Sequence, residues 1–277
     1  MPFTTHICRT AFLLIMLGNA VAGVSQTAAQ HARVELVSRQ SSIATGSDLQ
    51  MGVHFILEPG WQIYWINPGD SGQPPSFKWQ MPAGFSGGEI RWPHPDRMQT
   101  SKELVDYGYH DDVLLAVTIH PPSAISNRTP VEFGVEAKWL VCREVCIPEH
   151  AQLRLSLPVG ATAITDPQHA QLFEKTEKLL PQPLPRTWKA SAMSSKDGFA
   201  LAIHAGKPIT KAEFFPLDPG QIDNAAPQEL HPLKAGARLT LKKSDLLLKP
   251  IPILRGVLVL PGSPAYRIEA PVRQPIQ

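Results

Sequence analysis

Cysteine is scarce in this chain, with Cys8, Cys142 and Cys146 the only three among 277 residues. Long apolar runs are missing too. The most apolar interior segments, Val113 to Ile119 and Arg255 to Leu260, are of strand length, well short of the about 20 residues a membrane-crossing helix needs. Neither sign of charge dominates: the formal net charge is +2, which offers no electrostatic footprint for nucleic acid. Walker-type phosphate loops and the paired-histidine zinc-protease helix are absent, which removes those enzyme classes. Asp111 and Asp112, adjacent carboxylates on an expected loop, are assigned no catalytic role.

The chain opens on an expected secretory signal. His6 and Arg9 supply a weakly basic start, Ala11 to Leu17 a short apolar run, and Ala20-Val21-Ala22 a small-x-small cleavage site. Residues 1–22 are read as the signal, with Thr27-Ala28-Ala29 as a second cleavage option. Cys8 leaves with it. An exported, periplasmic protein then keeps Cys142 and Cys146 in an oxidising compartment.

Proline and glycine punctuate the chain, at 28 and 19 residues, and leave room for few long helices. Short alternating or β-branched runs recur at Arg33 to Val37, Leu49 to Leu57, Trp61 to Ile66, Ser76 to Met81, Val113 to His120, Val131 to Val141 and Gln152 to Leu157. That cadence predicts an all-β antiparallel sandwich over residues 31–160. Asp166 to Leu180 carries a helical pattern with Pro167 at its first turn, and the proline-rich stretch 181–185 stops it, so 161–185 reads as a helix and stiff linker. A second β-rich unit, 186–277, is predicted from strands at Thr187 to Met193, Phe199 to His204, Ala212 to Leu217, Arg238 to Lys242, Arg255 to Leu260 and Tyr266 to Ala270. It contains no cysteine. A supporting or docking role is expected for it.

On one straight strand, Cys142 and Cys146 would stand about 13 Å apart, beyond the roughly 4.4 to 6.8 Å that a disulfide allows. The chain must therefore bend at Arg143-Glu144-Val145, either as a tight hairpin end or as one helical turn. A plain structural staple is the competing reading. It is weakened by ring size, because closing about five residues yields only about 2 kcal/mol, against roughly 4.7 for a 100-residue loop. Arg143 favours a thiolate and Glu144 opposes it, so the neighbouring charges assign no direction to the thiol pKa.

The motifs around the pair resemble a known family. Gly60-Trp61 with Tyr64-Trp65, Asn67-Pro68-Gly69-Asp70-Ser71-Gly72, Ile90-Arg91-Trp92-Pro93, Tyr107-Gly108-Tyr109, and Trp139-Leu140-Val141-Cys142 with Cys146-Ile147-Pro148-Glu149 are similar to the periplasmic amino-terminal domain of the disulfide reductase DsbD. Phe214-Phe215-Pro216 through Ala225-Ala226-Pro227-Gln228 extends the likeness to the copper-tolerance-associated ScsB-like subgroup. The resemblance implies two immunoglobulin-like sandwiches in a thiol–disulfide oxidoreductase that takes electrons from a membrane-embedded donor and passes them to periplasmic thioredoxin-fold proteins. Cytochrome c biogenesis and copper tolerance are the settings it suggests. On this analogy Cys146 attacks the substrate disulfide and Cys142 resolves. Trp61, Tyr64 and Trp139 become active-site aromatics. A cap loop is expected over Gln99 to His110, with Leu104, Tyr107 or Tyr109 as its cover, although core packing is an equal reading for each aromatic. No stretch reads as the reductase's membrane portion or terminal thioredoxin-like domain, hence the separate donor. A monomer without a cofactor is expected.

Two other functions compete. Cys142, Cys146 and His150 form a Cys-x3-Cys-x3-His series that suggests copper or zinc, with Met98 as a further soft ligand. A non-catalytic binding module with a structural disulfide is the other.

Overall fold

In a computed structural model, residues 30–125 and 129–274 are described, so the expected signal segment and Cys8 lie outside the described residues. The first part is an immunoglobulin-like β-sandwich. One sheet joins Ala32–Ser38, Leu49–Leu57 and Asp112–His120 in antiparallel register, with Ser86–Gly87 at its edge. The facing sheet runs from Cys146–Leu157 through Val131–Cys142, Gln62–Gly69 and Val105–His110 to Asp96–Gln99, with Ser76–Gln80 also paired to Val131–Cys142.

Alternation of side chains explains how these strands bury one face. Phe133, Val135, Ala137, Trp139 and Val141 all enter the core, as do Ile63, Trp65, Tyr107 and Tyr109. The even-numbered positions of the same strands face outward, which puts Cys142, Cys146, Gln62 and Tyr64 together on the opposite side of the sheet.

The expected cap region is not one loop. Asp96–Gln99 and Val105–His110 form a hairpin, leaving only residues 100–104 as its tip. Gly108 concealed this strand in the sequence because glycine interrupts a strand pattern. Its small size is required here: a Cβ would stand 2.1 Å from the Ile63 carbonyl oxygen.

The helix is shorter than predicted, at Ala170–Leu179. Pro167 lies in a preceding turn, where Asp166 accepts hydrogen bonds from Gln168 N and, through its carbonyl, from Ala170 N. Phe173 packs with Val37, Leu114 and Ala116 on the outside of the first sheet. The proline-rich stretch is extended as expected but not free, since Gln182–Pro183 pairs in parallel with Tyr266–Arg267.

The seven following strands, from Lys189–Ser194 to Tyr266–Arg273, join with Gln182–Pro183 in one eight-stranded sheet around a second core of Phe199, Leu201, Phe214, Leu239, Leu254 and Leu258. Glu229–Leu233, an edge strand containing Pro232, was not predicted; proline is tolerated there because one side of an edge strand needs no donor. Phe215, Val257 and Ala265 do not join that core. They belong to the first one.

Candidate functional site

Cys142 and Cys146 end two paired strands and lie directly opposite each other, joined by a disulfide with Cα atoms 4.2 Å apart. That spacing suits a directly opposed narrow pair in an antiparallel ladder. The bend is thus a hairpin, and the helical-turn option is excluded. The two sulfurs differ in access: Cys142 is 3% exposed, whereas Cys146 is exposed beside the turn. Cys142 is covered because its residue pairs with Gln62 on the next strand, while Cys146 belongs to the sheet's outer strand.

Tyr64 is 1% exposed, and its hydroxyl donates toward Cys146 Sγ at 3.4 Å. Burial is the main reason its pKa is raised, and Asp106 adds to this, while Ser71 and Gln62 pull it down. The hydroxyl therefore stays protonated and available as a donor. Gly72, at φ +73°, lies against the ring so closely that a Cβ would stand 2.1 Å from it.

Asp106 is buried and accepts from Ser71 N at 2.9 Å and from Ser71 Oγ at 2.9 and 2.8 Å. Its carboxyl is held above the usual aspartate range, chiefly by burial, with Ser71 opposing and Asp70 reinforcing the shift. The folded state thus holds this proton more tightly than the unfolded chain. Its contribution to stability is complete below the ordinary aspartate pKa and is lost as pH rises through the raised value. Asp106→Asn should consequently flatten the decline in stability above about pH 4, where an unfolded aspartate titrates. Urea unfolding across a pH series tests this, and an unchanged slope would assign the decline to other groups.

The remaining predicted site residues separate by face. Trp61 stacks on His31 at 3.7 Å between ring centroids and takes the Arg143 guanidinium at 5.2 Å. Trp139 is in the core, edge-on to Phe55 at 5.3 Å. Tyr107 and Tyr109 are also core residues, with hydroxyls donated to Asn224 Oδ1 at 3.0 Å and to the Pro93 carbonyl at 2.8 Å. These two tyrosines face away from the disulfide. Leu104, 42% exposed, is on the hairpin tip. That tip is tied to the segment under Tyr64, because Val105 N donates to Asp70 Oδ2 at 2.8 Å and Asp70 N to the Val105 carbonyl at 3.0 Å.

His150 does not join the cysteines. It lies four residues along the extended strand from Cys146, about 13 Å by strand rise, and both sulfurs are already consumed by the disulfide. Among the described residues no group of three or more His, Cys, Asp or Glu is arranged to hold a metal ion. Further along the two cysteine-bearing strands a shallow groove of about 460 Å³ is lined by Pro74, Lys138, Leu140, Pro148 and His150. The roles of Ser71 and Asp106 were not predicted, although Asp70-Ser71-Gly72 is a turn signal whose polar residues need partners.

Residues 33–158 match the family described as thiol:disulfide interchange protein DsbD, N-terminal. Among solved structures, the chain is similar to the N-terminal periplasmic domain of ScsB from Proteus mirabilis, with 18% identity and a TM-score of 0.66 over 89% of this chain and 95% of that one. No curated protein sequence matches the chain.

Proposed function

We propose that the chain, whose residues 33–158 match the DsbD N-terminal family and whose fold is similar to the ScsB N-terminal domain, is a periplasmic relay carrying electrons from a membrane-embedded DsbD-type donor to thioredoxin-fold proteins. The observation that carries this reading is the unequal access of the two sulfurs, with Cys146 exposed and Cys142 buried behind it. A relay needs one sulfur that a partner can reach and one that it cannot.

In the reduced form, the Cys146 thiolate attacks one sulfur of the partner's disulfide. That bond breaks, a mixed disulfide forms, and the first partner sulfur leaves as a thiolate that takes up a proton. Cys142, having lost its proton, then attacks Cys146 Sγ. The mixed disulfide breaks, the second partner sulfur leaves, and the Cys142 to Cys146 bond closes. Two electrons have moved to the partner, and the membrane donor returns them by the reverse exchange. Tyr64, donating to Cys146 Sγ, stabilises negative charge on that sulfur whenever it attacks or departs.

The pair sits at the end of a hairpin, where a partner's active-site loop meets little obstruction, and the apolar side of the groove further along the strands, Pro74, Leu140 and Pro148, offers it contact surface. Of the three cover candidates only Leu104, on the hairpin tip, is exposed. Residues 31–160 form the redox module, 161–185 the connector and 186–277 the support. Among the described residues no helix is long and apolar enough to cross a membrane.

The redox equilibrium against glutathione, with thiols trapped and counted by mass, tests the proposal. A reversible two-electron couple in the range of exchange proteins, roughly −120 to −270 mV, is expected. A disulfide below about −300 mV that resists exchange would make it a staple and end the relay reading.

A further inference from the structure

We propose that Asn224, in the second half of the chain, is a positioning residue for the redox pair: it holds Asp70–Gly72 in place, and that segment sets the Tyr64 hydroxyl against Cys146. The inference rests on the exchange reading above and extends the site to a residue far from either cysteine.

Three consecutive residues make the connection. Asp70 Oδ1 accepts from Asn224 Nδ2 at 2.7 Å, and Asp70 is tied to Val105 through both its side chain and its backbone N. Ser71 is fixed to the buried Asp106 by its backbone N and its hydroxyl. Gly72 then lies under the Tyr64 ring with no room for a Cβ. A shift at Asp70 is passed directly to the surface on which that ring rests.

Asn224 is itself held on every side. It is 6% exposed, its Oδ1 accepts from Tyr107 Oη at 3.0 Å, and its carbonyl accepts from Arg97 at 2.6 Å. Its amide can therefore serve Asp70 in one orientation only, because turning it over would set its Oδ1 acceptor against the Asp70 carboxylate oxygen. Nearby, Asn67 Nδ2 donates to the Pro216 carbonyl at 2.7 Å, so the segment from Asn67, at the end of its strand, to Gly72 is fastened to the second half at two points. Such a segment has little freedom to move, which makes the Tyr64 to Cys146 contact a preorganised one.

The consequence is chemical. A hydroxyl donating to a thiolate lowers its pKa, and a misplaced hydroxyl does not. Other charged groups on this face are Arg143 and Glu144 in the turn, Lys138 and His150 further along the paired strands, and Asp70 and Asp106 behind Tyr64. Replacing Asn224 or the Tyr64 hydroxyl removes none of these charges, although Asn224→Ala does withdraw one hydrogen bond from Asp70.

The test is the pH profile of Cys146 alkylation by iodoacetamide in the reduced full chain, mapped by mass. Tyr64→Phe should move the profile to higher pH and slow alkylation near neutrality by about tenfold, as expected for a lost hydrogen bond to a charged group. Asn224→Ala should shift it in the same direction, by at least about threefold, and should add nothing in the Tyr64→Phe background. An Asn224→Ala effect of equal size in both backgrounds would overturn the proposal, as would an unshifted profile in a folded variant. If Asn224→Ala loses its circular dichroism spectrum, Asn224→Ser, which also withdraws the amide donor from Asp70 and leaves every charge in place, carries the same expectations. No partner protein is involved, so failure here is separate from failure of the relay.

Discussion

Cys146→Ser should abolish disulfide exchange, lowering its rate by at least about a thousandfold, because the nucleophile that a partner can reach has been removed. Cys142→Ser should behave differently. Its Cys146 still attacks, but nothing resolves the product, and a mixed disulfide with the partner accumulates. The asymmetry follows from burial: Cys142 is 3% exposed and pairs with Gln62 on the adjacent strand, so a partner's disulfide cannot approach it in line. Both variants lose the short ring, at a cost of about 2 kcal/mol, so stability alone does not distinguish them. Non-reducing electrophoresis and mass analysis with a thioredoxin-fold substrate are the decisive measurements. Mixed disulfide from Cys146→Ser and none from Cys142→Ser would reverse the roles; normal exchange by both would remove the pair from the chemistry.

Phe215→Ala should cost about 3 to 5 kcal/mol, the range for emptying a buried aromatic site. Phe215 is 2% exposed and extends from the second half into the first core, edge-on to Tyr107 at 5.3 Å and to Trp65 at 6.5 Å. Few neighbours can close the hole. Trp65 and Tyr107 belong to paired strands of the first sandwich, and Pro216 beside it is held by Asn67. At about 2 to 4 °C per kcal/mol for a chain of this size, the melting temperature should fall by roughly 6 to 20 °C. Calorimetry should show one transition for the native protein and two for the variant, since the lost contact joins the cores. A single transition at the native temperature would mean that Phe215 does not couple them.

The strands that were easiest to predict are those whose apolar residues alternate without interruption. Leu49–Leu57 was located to the residue, and Asp112–His120 and Val131–Cys142 to within one. The strands of four or more residues that the pattern does not reveal are Asp96–Gln99, Val105–His110 and Glu229–Leu233, where charge, Gly108 or Pro232 breaks it. Each of these interruptions is tolerated because a neighbour requires it or an edge permits it, and neither cause is visible within the segment. The same limit separates Tyr64 from Tyr107 and Tyr109: all three stood as aromatics near an expected active site. Strand alternation and pairing put only Tyr64 on the face of the cysteines.

The amino-acid sequence by itself determined the sandwich class, the bend at Arg143-Glu144-Val145 and the pairing of two thiols, because alternation, turn chemistry and the reach of four residues are local quantities. Only the tertiary structure decided which sulfur faces outward, that His150 stays away, and that Phe215 and Asn224 reach across to the first sandwich. Those depend on register and packing between residues up to 154 positions apart, as Asp70 and Asn224 are. Such contacts arise from the shape of the whole assembled core, to which each segment contributes only one surface.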